Sequence, residues 1–398
     1  MKESDLTLYL EINNLNLIFF VLKKNENNLI EIIDELNLPV SGFEDNRISS
    51  FEKLYNIVKE NIYLIEQKFD YTFKEVVLIL ENFNPTFINL SGYKNLNGSQ
   101  ISRENIIYIL NSLKSYVDKN ESKKTILHIF NSNFFLDNKK AINLPIGLFG
   151  DFYSHELSFS LISSNDYKNL ENIFSHCNLK IKKIFLKSFI KGANISDNNN
   201  NKETFLNIKI NSNDSKIFYF ENDSLKHEQC FNFGSEIILK DISKITSLKI
   251  DNINTILENT NLNEEILENE LIEEKFFKHN NYRKIKKRLI YEIVLARIIE
   301  ISEILIFKNI NLNSISKKPN TIFLEIEHKL PFESLKEIYR KVFSANNSFE
   351  VKFLDKLNND SLLQTANNLL HYGWKKEAIP VSQVKKSILA RFFNTIFN

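Results

Sequence analysis

Two strand–turn–strand units open the two halves of this 398-residue chain. Residues 6–12 are apolar and alternating, residues 13–16 read N-N-L-N and form a polar turn, and residues 17–22 return as a buried strand. Residues 205–210, 211–214 and 216–220 repeat this pattern with the turn N-S-N-D. Because a supersecondary unit that recurs at a distance indicates internal duplication, the sequence predicts two similar lobes.

Strand and helix patterns alternate along the rest of the chain, which predicts an α/β fold. Apolar residues at helical spacing predict helices over 49–69, 102–115, 166–177, 239–248, 285–307, 332–343 and 361–372. Short apolar runs predict further strands over 75–80, 125–130, 157–162, 179–186 and 320–326. The Asn-rich run 198–201 is typical of a joint between the halves.

Composition argues against several classes of function. Lys plus Arg number 51 and Asp plus Glu number 50, so no overall charge favours nucleic acid as a partner. Cys177 and Cys230 are too few for a disulfide framework or a cysteine zinc site, and the histidines show no metal-binding spacing. Eight glycines form neither G-x-G-x-x-G nor G-x-x-x-x-G-K-[ST]. Lys and Glu directly after Met1 predict no signal peptide, and the apolar stretch 289–307 carries four charges, which predicts a buried helix rather than a membrane span.

Six short segments, in order along nearly the whole chain, resemble the motifs of one family. The sequence L-P-I-G-L-F-G at 144–150 is similar to N-P-x-G-L-x-G, with Leu in place of the opening Asn. The others are I-S-R-E-N at 101–105, L-H-I-F at 127–130, C-N-L-K-I at 177–181, A-R-I-I-E-I at 296–301, and T-A followed by L-L-H-Y-G within 365–373. These segments resemble the bacterial cell-division protein FtsA, of the actin-like ATPase superfamily.

The resemblance implies a two-lobed actin-like fold with an FtsA-type inserted 1C subdomain and a C-terminal amphipathic helix. The implied boundaries are 1–82 and 158–202 for subdomain 1A, 83–157 for 1C, 203–250 for the first part of 2A, and 251–318 for 2B. Residues 319–373 would complete 2A and return to 1A, residues 374–383 would be a linker, and residues 384–398 would be a membrane-targeting helix.

The resemblance also implies a function. The protein would tether FtsZ polymers to the cytoplasmic face of the membrane, contact the FtsZ C-terminal tail through 2B, and self-associate into filaments at the division site. Two alternatives stay open: a PilM-like actin-fold adaptor for pilus assembly, and an actin-like ATPase that still binds ATP.

The turns that hold nucleotide in the family are altered here. The family pattern E-I-G-T-S-K stands as E-I-N-N-L-N at 11–16, D-I-G-G-G-T stands as K-I-N-S-N-D at 209–214, and T-G-G corresponds to E-I-E at 325–327. Glycine is needed in such turns because backbone N–H groups must approach phosphate oxygens without an intervening Cβ. We therefore expect no catalytic residues, no enzyme activity and no cofactor, with ATP and magnesium as the alternative. The degenerate nucleotide-site residues are Asn13, Asn14, Lys209, Asn213 and Asp214.

The last residues of the chain have the pattern of a helix that lies in a membrane interface. Ser382 can cap this helix. Its apolar face would consist of Val384, Ile388, Leu389, Phe392, Phe393, Ile396 and Phe397, flanked by the cations Lys385, Lys386 and Arg391. A wide apolar face beside cations predicts binding to an anionic membrane surface. The alternative is an ordinary helix packed on the core.

A basic run precedes the long apolar helix within the interval assigned to 2B. Arg283, Lys286, Lys287 and Arg288 form this run. It is either a solvated face or a docking surface for the acidic FtsZ tail. Arg297 lies on the core-facing side of the predicted helix, so we expect a structural ion pair there.

Overall fold

The computed structural model describes residues 6–25, 29–199, 202–263, 265–277, 282–313, 319–327, 332–344 and 348–378. The predicted membrane helix, residues 384–398, lies outside the described residues. Among the described residues, no helix is long and apolar enough to cross a bilayer.

Sixteen strands and ten α-helices follow one another within the described ranges. The strands are β1 (Leu6–Ile12), β2 (Asn16–Lys24), β3 (Ile30–Pro39), β4 (Phe43–Glu44), β5 (Arg47–Ile48), β6 (Glu75–Leu80), β7 (Thr86–Asn95), β8 (Lys124–Leu136), β9 (Lys139–Ala141), β10 (Phe152–Ser163), β11 (Lys180–Leu186), β12 (Phe205–Ile210), β13 (Ser215–Glu221), β14 (Ser224–Phe231), β15 (Thr321–Ile326) and β16 (Glu350–Phe353). The helices are α1 (Phe51–Phe69), α2 (Arg103–Asn120), α3 (Ser164–His176), α4 (Lys187–Asn198), α5 (Glu236–Thr246), α6 (Ile250–Asn259), α7 (Lys287–Ser302), α8 (Ile310–Asn313), α9 (Phe332–Ser344) and α10 (Asn359–Tyr372).

Two five-stranded sheets have the same internal arrangement. The first sheet has the order β3-β2-β1-β6-β11 and the second has the order β14-β13-β12-β15-β16. In each sheet three antiparallel strands form a meander, and two parallel strands follow on the far side of its first strand. We call the body built on the first sheet lobe I and the body built on the second sheet lobe II. The two hairpins predicted from sequence thus open two equivalent sheets, and the predicted α/β class is confirmed.

A third sheet lies within and just beyond the interval 83–157. Its order is β7-β10-β8-β9, and all its pairings are antiparallel. Helix α2 covers this sheet through Leu110 and Val117, which pack on apolar residues of β8 and β10. Ser102 starts α2 with a capping box, in which Asn105 is the second residue. The boundaries assigned to the subdomains stay predictions.

Helix α4 runs from the end of β11 in lobe I and packs closely against lobe II. Gly192 makes this approach feasible, because a Cβ at this position would lie 1.8 Å from the buried ring of Phe220 in β13. Helix α4 also packs against α10. These two helices therefore occupy the junction between the lobes.

Several elements differ from the sequence-based expectation. The predicted helix 285–307 is an α-helix only from Lys287 to Ser302 and continues as a π-helical turn over Glu303–Phe307. The elements that were not predicted are strands β3, β4, β5, β7, β9, β14 and β16 and helices α4, α6 and α8. Of the predicted joint 198–201, residues 198 and 199 end and cap α4, and residues 200 and 201 lie outside the described part.

Candidate functional site

The β1–β2 turn, the first of the three altered turns, uses its own side chains to satisfy its backbone. Asn13 Oδ1 accepts hydrogen bonds from the N–H groups of Leu15 and Asn16, at 2.9 and 2.8 Å. Asn13 Nδ2 donates to Glu11 Oε1 at 3.1 Å, and Asn14 donates to Asn46 at 2.7 Å. The backbone N–H groups of Leu15 and Asn16 are therefore already occupied within the turn.

The second and third altered turns contact each other in lobe II. The backbone N–H of Ser212 donates to the Glu327 carboxylate at 3.1 Å. Asn211 closes the β12–β13 turn through its backbone and its side chain, which bonds Asp214 at 2.9 Å. Asn213 lies exposed at the tip of the turn. A carboxylate of the chain itself thus occupies an N–H group of the turn assigned to phosphate binding.

Helix α5 starts directly behind this turn, where Gly234 is required for close packing. A Cβ on Gly234 would lie 2.1 Å from the carbonyl oxygen of Asn211. The carbonyl groups of Asn211 and Ser212 accept hydrogen bonds from Ser235 and Glu236. The turn is therefore held from behind by the first residues of α5 and from the front by Glu327.

Lysines and glutamates from both lobes meet in the cleft between the three turns. Lys187 Nζ, at the start of α4, lies 2.6 Å from Glu11 and 3.0 Å from Glu81. Lys216 Nζ of lobe II lies 3.3 Å from Glu81 of lobe I and also contacts the side chain of Asn82. One helical turn after Lys187, Lys191 pairs with Glu325 at 3.2 Å. We call Glu11, Glu81, Lys187, Lys191, Lys216 and Glu325 the cleft ion-pair network.

Glu81 is at the centre of this network. Burial alone would raise the pKa of its carboxyl group, but the charges of Lys187 and Lys216, with smaller contributions from Lys209 and Lys191, hold it far below its usual range. Burial would likewise lower the pKa of Lys187, and Glu81 and Glu11 instead raise it above its usual value. Both groups are therefore charged at neutral pH.

Glu228 of β14 also lines the cleft, in a different state. Its carboxylate accepts a hydrogen bond from Ser188 Oγ at 2.7 Å. Burial raises the pKa of Glu228 to about 7, although Ser188 and Lys216 act in the opposite direction. Glu228 is therefore the group of the cleft that changes charge near neutral pH.

The side chains leave almost no free volume in this cleft. The cavity lined by Glu81, Lys187, Lys191, Lys209, Lys216 and Glu228 measures about 10 Å³. This is about the smallest volume that holds one water molecule, whereas small-molecule sites usually have about 300–1,000 Å³. A cavity of this size cannot hold a nucleotide.

The basic run before α7 is partly neutralised by acidic neighbours. Lys287 forms an ion pair with Glu270, and Arg288 pairs with Glu292 at 3.0 Å. Arg283 donates to the carbonyl group of Thr246 at 3.3 Å, and Lys286 is exposed. The predicted docking surface therefore consists mainly of Arg283 and Lys286.

Arg297 forms ion pairs with Asp241 of α5 and with Glu300. This confirms the structural role expected from its position on the helix.

The residues after α10 are packed on the body of the protein. The indole N–H of Trp374 donates to the carbonyl group of Asp223 at 2.7 Å, and Glu377 pairs with Phe130 of β8 in an antiparallel bridge. The Glu377 carboxylate lies 2.8 Å from Lys183 and 3.1 Å from His128 Nδ1. Residues 374–378 of the predicted linker 374–383 are therefore fixed in place.

His128 holds Glu377 as a neutral ring. Burial lowers the pKa of His128, although Glu377 acts in the opposite direction. His128 Nε2 accepts a hydrogen bond from the backbone N–H of Leu186 at 3.4 Å, so Nδ1 carries the proton and donates to Glu377. Lys183 supplies the positive charge of this contact. Burial alone would raise the pKa of Glu377, but His128 and Lys183 lower it to about 2.

Comparison with known proteins finds relatives by sequence and by fold. No protein-family profile matches the chain. The chain is 22% identical over 242 residues to the cell division protein FtsA of Buchnera aphidicola from Schizaphis graminum, which covers 61% of this chain and 57% of that protein. It is 21% identical over 255 residues to FtsA of Buchnera aphidicola from Acyrthosiphon pisum, covering 64% of this chain and 60% of that protein. The chain thus spans less than two thirds of the length of these relatives.

A solved structure is similar over nearly the whole fold. The PilM-PilN type IV pilus biogenesis complex matches with a TM-score of 0.50 and 9% identity, covering 92% of this chain and 95% of that one. The chain is a divergent FtsA-like protein with an actin-like fold. This confirms the resemblance and the fold inferred from the motifs.

The FtsA-like cleft brings together few of the residues predicted for it. Of the predicted nucleotide-site residues only Lys209 lines the cavity, whereas Asn14 and Asn213 point elsewhere. Sequence reasoning missed Glu81 and Lys187. Both come directly after a buried parallel strand, β6 or β11, and ligand sites of α/β sheets lie at the carboxyl ends of such strands. This position after a strand could have identified both residues from the sequence.

No group of His, Cys, Asp and Glu side chains within the described ranges has a geometry that could hold a metal ion. The predicted membrane-binding residues from Val384 to Phe397 lie outside the described residues.

Proposed function

We propose that this FtsA-like protein is a cell-division scaffold that tethers FtsZ polymers to the cytoplasmic face of the membrane and self-associates at the division site. The similarity to FtsA proteins supports the division role. The apolar, cationic pattern of residues 384–398 supports tethering. In this proposal the scaffold works without bound nucleotide.

Lys216 contacts Glu81 across the cleft. This observation carries the proposal that the scaffold works without nucleotide. In the actin-like fold implied by the resemblance, a nucleotide lies between the two lobes and contacts both. Here an ion pair with both side chains largely buried joins the lobes directly. Removing one partner of such a pair leaves an uncompensated charge, which is strongly unfavourable, so the pair favours the closed arrangement.

Nucleotide binding is tested by thermal unfolding with millimolar ATP and magnesium. A ligand raises the unfolding temperature only as far as its affinity for the folded state allows. We expect a shift of less than one degree, no larger than the shift that magnesium alone gives in the control. A shift of several degrees that is lost in Lys209→Ala would support the working ATPase instead.

Tethering is tested by sedimentation with vesicles that contain anionic lipid. The full chain should sediment with vesicles and bring FtsZ polymers with it, whereas a chain ending at Ala378 should stay in the supernatant. Phe392→Asp combined with Phe393→Asp should act like the deletion, because it places charge on the apolar face. The matched control is Asn394→Asp, which adds a charge outside that face.

FtsZ polymers that fail to sediment with protein-coated vesicles would contradict the scaffold proposal and leave the pilus adaptor as the alternative. Vesicle binding that survives both the deletion and the double change would contradict the tether.

A further inference from the structure

A second cavity lies at the opposite end of the lobe I sheet from the cleft. It is formed by the start of β1, the end of β2, the residues leading into β6, and the last turn of α10. Its volume is about 560 Å³, which is within the range of small-molecule sites. The residues that matter for its chemistry are Lys24, Lys74, Glu75, Lys182, His371, Leu6 and Ile30.

The lining of this cavity is cationic. Among the lining residues that the structure describes, three are lysines and Glu75 is the one acidic side chain, so these residues carry two positive charges in excess. Glu75 pairs with Lys182 at 2.9 Å. Lys24 and Lys74 form no ion pair with any residue in the described ranges. The excess charge is therefore carried by two lysines that have no acidic partner in this part of the chain.

The pKa of His371 depends on the same lysine charges. Its burial lowers its pKa, and the charges of Lys24 and Lys182 lower it further. The ring is therefore neutral at pH 7.5 and can donate one hydrogen bond without adding charge. A bound anion would oppose the two lysines and raise the pKa of His371.

Part of the wall of this cavity is apolar. Leu6 and Ile30 line it and are half-buried, so each keeps some apolar surface exposed. Apolar walls reduce the local dielectric constant and strengthen the attraction of the lysines for an anion. A ligand with an anionic group and a hydrocarbon part matches both features.

We propose that this cavity binds a phosphate-bearing anion, with the phosphate held by Lys24 and Lys74 and its carbon substituent against Leu6 and Ile30. Lysine is well suited to this role because its ammonium group acts as a point charge with three donors. Such a phosphate belongs either to a lipid headgroup or to a soluble phosphate ester. The inference does not depend on the proposed tethering role.

The first experiment uses the full chain and glycerol 3-phosphate at pH 7.5 and low salt. Binding is followed by calorimetry and by the NMR titration of His371, which is assigned with His371→Gln. We expect binding that raises the pKa of His371 and weakens at least fivefold in Lys24→Gln with Lys74→Gln. The matched control is Lys119→Gln with Lys168→Gln, two exposed lysines outside the cavity, which should bind like wild type.

Unfolding temperatures of both double variants show that their folds are intact. If the cavity variant is unstable, the rise in the pKa of His371 in the wild-type chain still decides the question. An unchanged His371 titration, or equal weakening in both double variants, would overturn the proposal.

The second experiment distinguishes the two sources of phosphate. Dihexanoylphosphatidic acid is compared with glycerol 3-phosphate, and dihexanoylphosphatidylcholine serves as the zwitterionic control. At least tenfold tighter binding of the phosphatidic acid would identify a lipid headgroup, and equal binding would identify a soluble ester. Equal binding of the phosphatidylcholine would show that charge is not recognised and would overturn the proposal.

Discussion

Lys216 of lobe II and Glu81 of lobe I lie 3.3 Å apart across the cleft, and Glu81 also pairs with Lys187 at 3.0 Å. One carboxylate therefore holds a strand of the second lobe and the first residue of the helix at the lobe junction. Side chains of the protein itself therefore join the two lobes directly.

The pair should couple energetically. In a double-mutant cycle with Glu81→Gln and Lys216→Gln, we expect a coupling free energy of about 1–2 kcal/mol in urea unfolding, because both groups are largely buried. The control cycle uses Lys68 and Asp34, which are 2.6 Å apart with Lys68 mostly exposed. Exposed pairs couple by about 0.5 kcal/mol or less. Equal coupling in the two cycles would show that the cleft pair contributes no more than a surface pair.

Glu228 should make stability depend on pH near neutrality. Its pKa is raised to about 7, so the folded protein keeps this proton at pH values where the unfolded chain has lost it. The free energy of unfolding from this group therefore falls as pH rises from about 4.5 through 7. We expect Glu228→Gln to match wild type at pH 5 and to be more stable by about 2 kcal/mol at pH 8.5.

The measurement is the urea midpoint of the variant and of wild type across this pH range. The control is Glu60→Gln, an exposed carboxyl on α1, whose difference from wild type should stay flat. A flat difference for Glu228→Gln as well would show that this carboxyl is solvated.

Gly192 should tolerate no side chain while Phe220 is present. The Phe220 ring cannot move aside easily, because it stacks on Phe205 with centroids 4.9 Å apart. Overpacking of this kind costs about 2–3 kcal/mol, which we expect for Gly192→Ala in thermal or urea unfolding. Adding Phe220→Leu should recover part of this loss. If Gly192→Ala has the stability of wild type, the helix and the strand are not in close contact.

Two cations of the basic run should have different roles: Lys286 should bind the FtsZ tail peptide, and Lys287 should stabilise the fold. Lys286→Glu should weaken binding of the FtsZ tail peptide, measured by fluorescence anisotropy, and the effect should diminish at high salt. Lys287→Glu should instead lower the unfolding temperature, because it places a carboxylate against Glu270. Peptide affinity that is unaffected by Lys286→Glu at low salt would identify the run as a solvated face.

Truncation should show where the folded body ends. A chain ending at Ala378 should keep the unfolding temperature of the full chain. A chain ending at Gly373 loses Trp374 and Glu377, and we expect it to be less stable by about 3 kcal/mol, as for other buried aromatic residues. Trp374→Ala in the full chain should show a similar loss. Two truncations of equal stability would mean that residues 374–378 add nothing to the fold.

Local patterns predicted much of the fold. The β1–β2 and β12–β13 hairpins, the Ser102 cap and the end of α10 at Gly373 depend on neighbouring residues, so they are visible in sequence. Strand β7 was missed because it is an edge strand whose outward positions, such as Asn89 and Asn95, are polar. Helix α4 was missed because it starts at Lys187 without a side-chain cap.

The cleft was only partly predictable. Loss of the glycine turns was evident in the sequence, but the ion pairs that fill the space are not. Glu81 lies more than a hundred positions before both Lys187 and Lys216, and only the assembled sheets bring them together. Each residue taken alone has the appearance of an ordinary surface charge.

The attachment of residues 374–378 determines how the protein would respond to mechanical tension. A pull on the chain beyond Ala378 reaches the body at the Glu377–Phe130 bridge, where the two backbones run antiparallel. Strain would then pass into β8, and through Lys183 into β11, before it could unwind α10. Because β11 continues into α4, a force applied at the C-terminus would be transmitted to the junction of the two lobes.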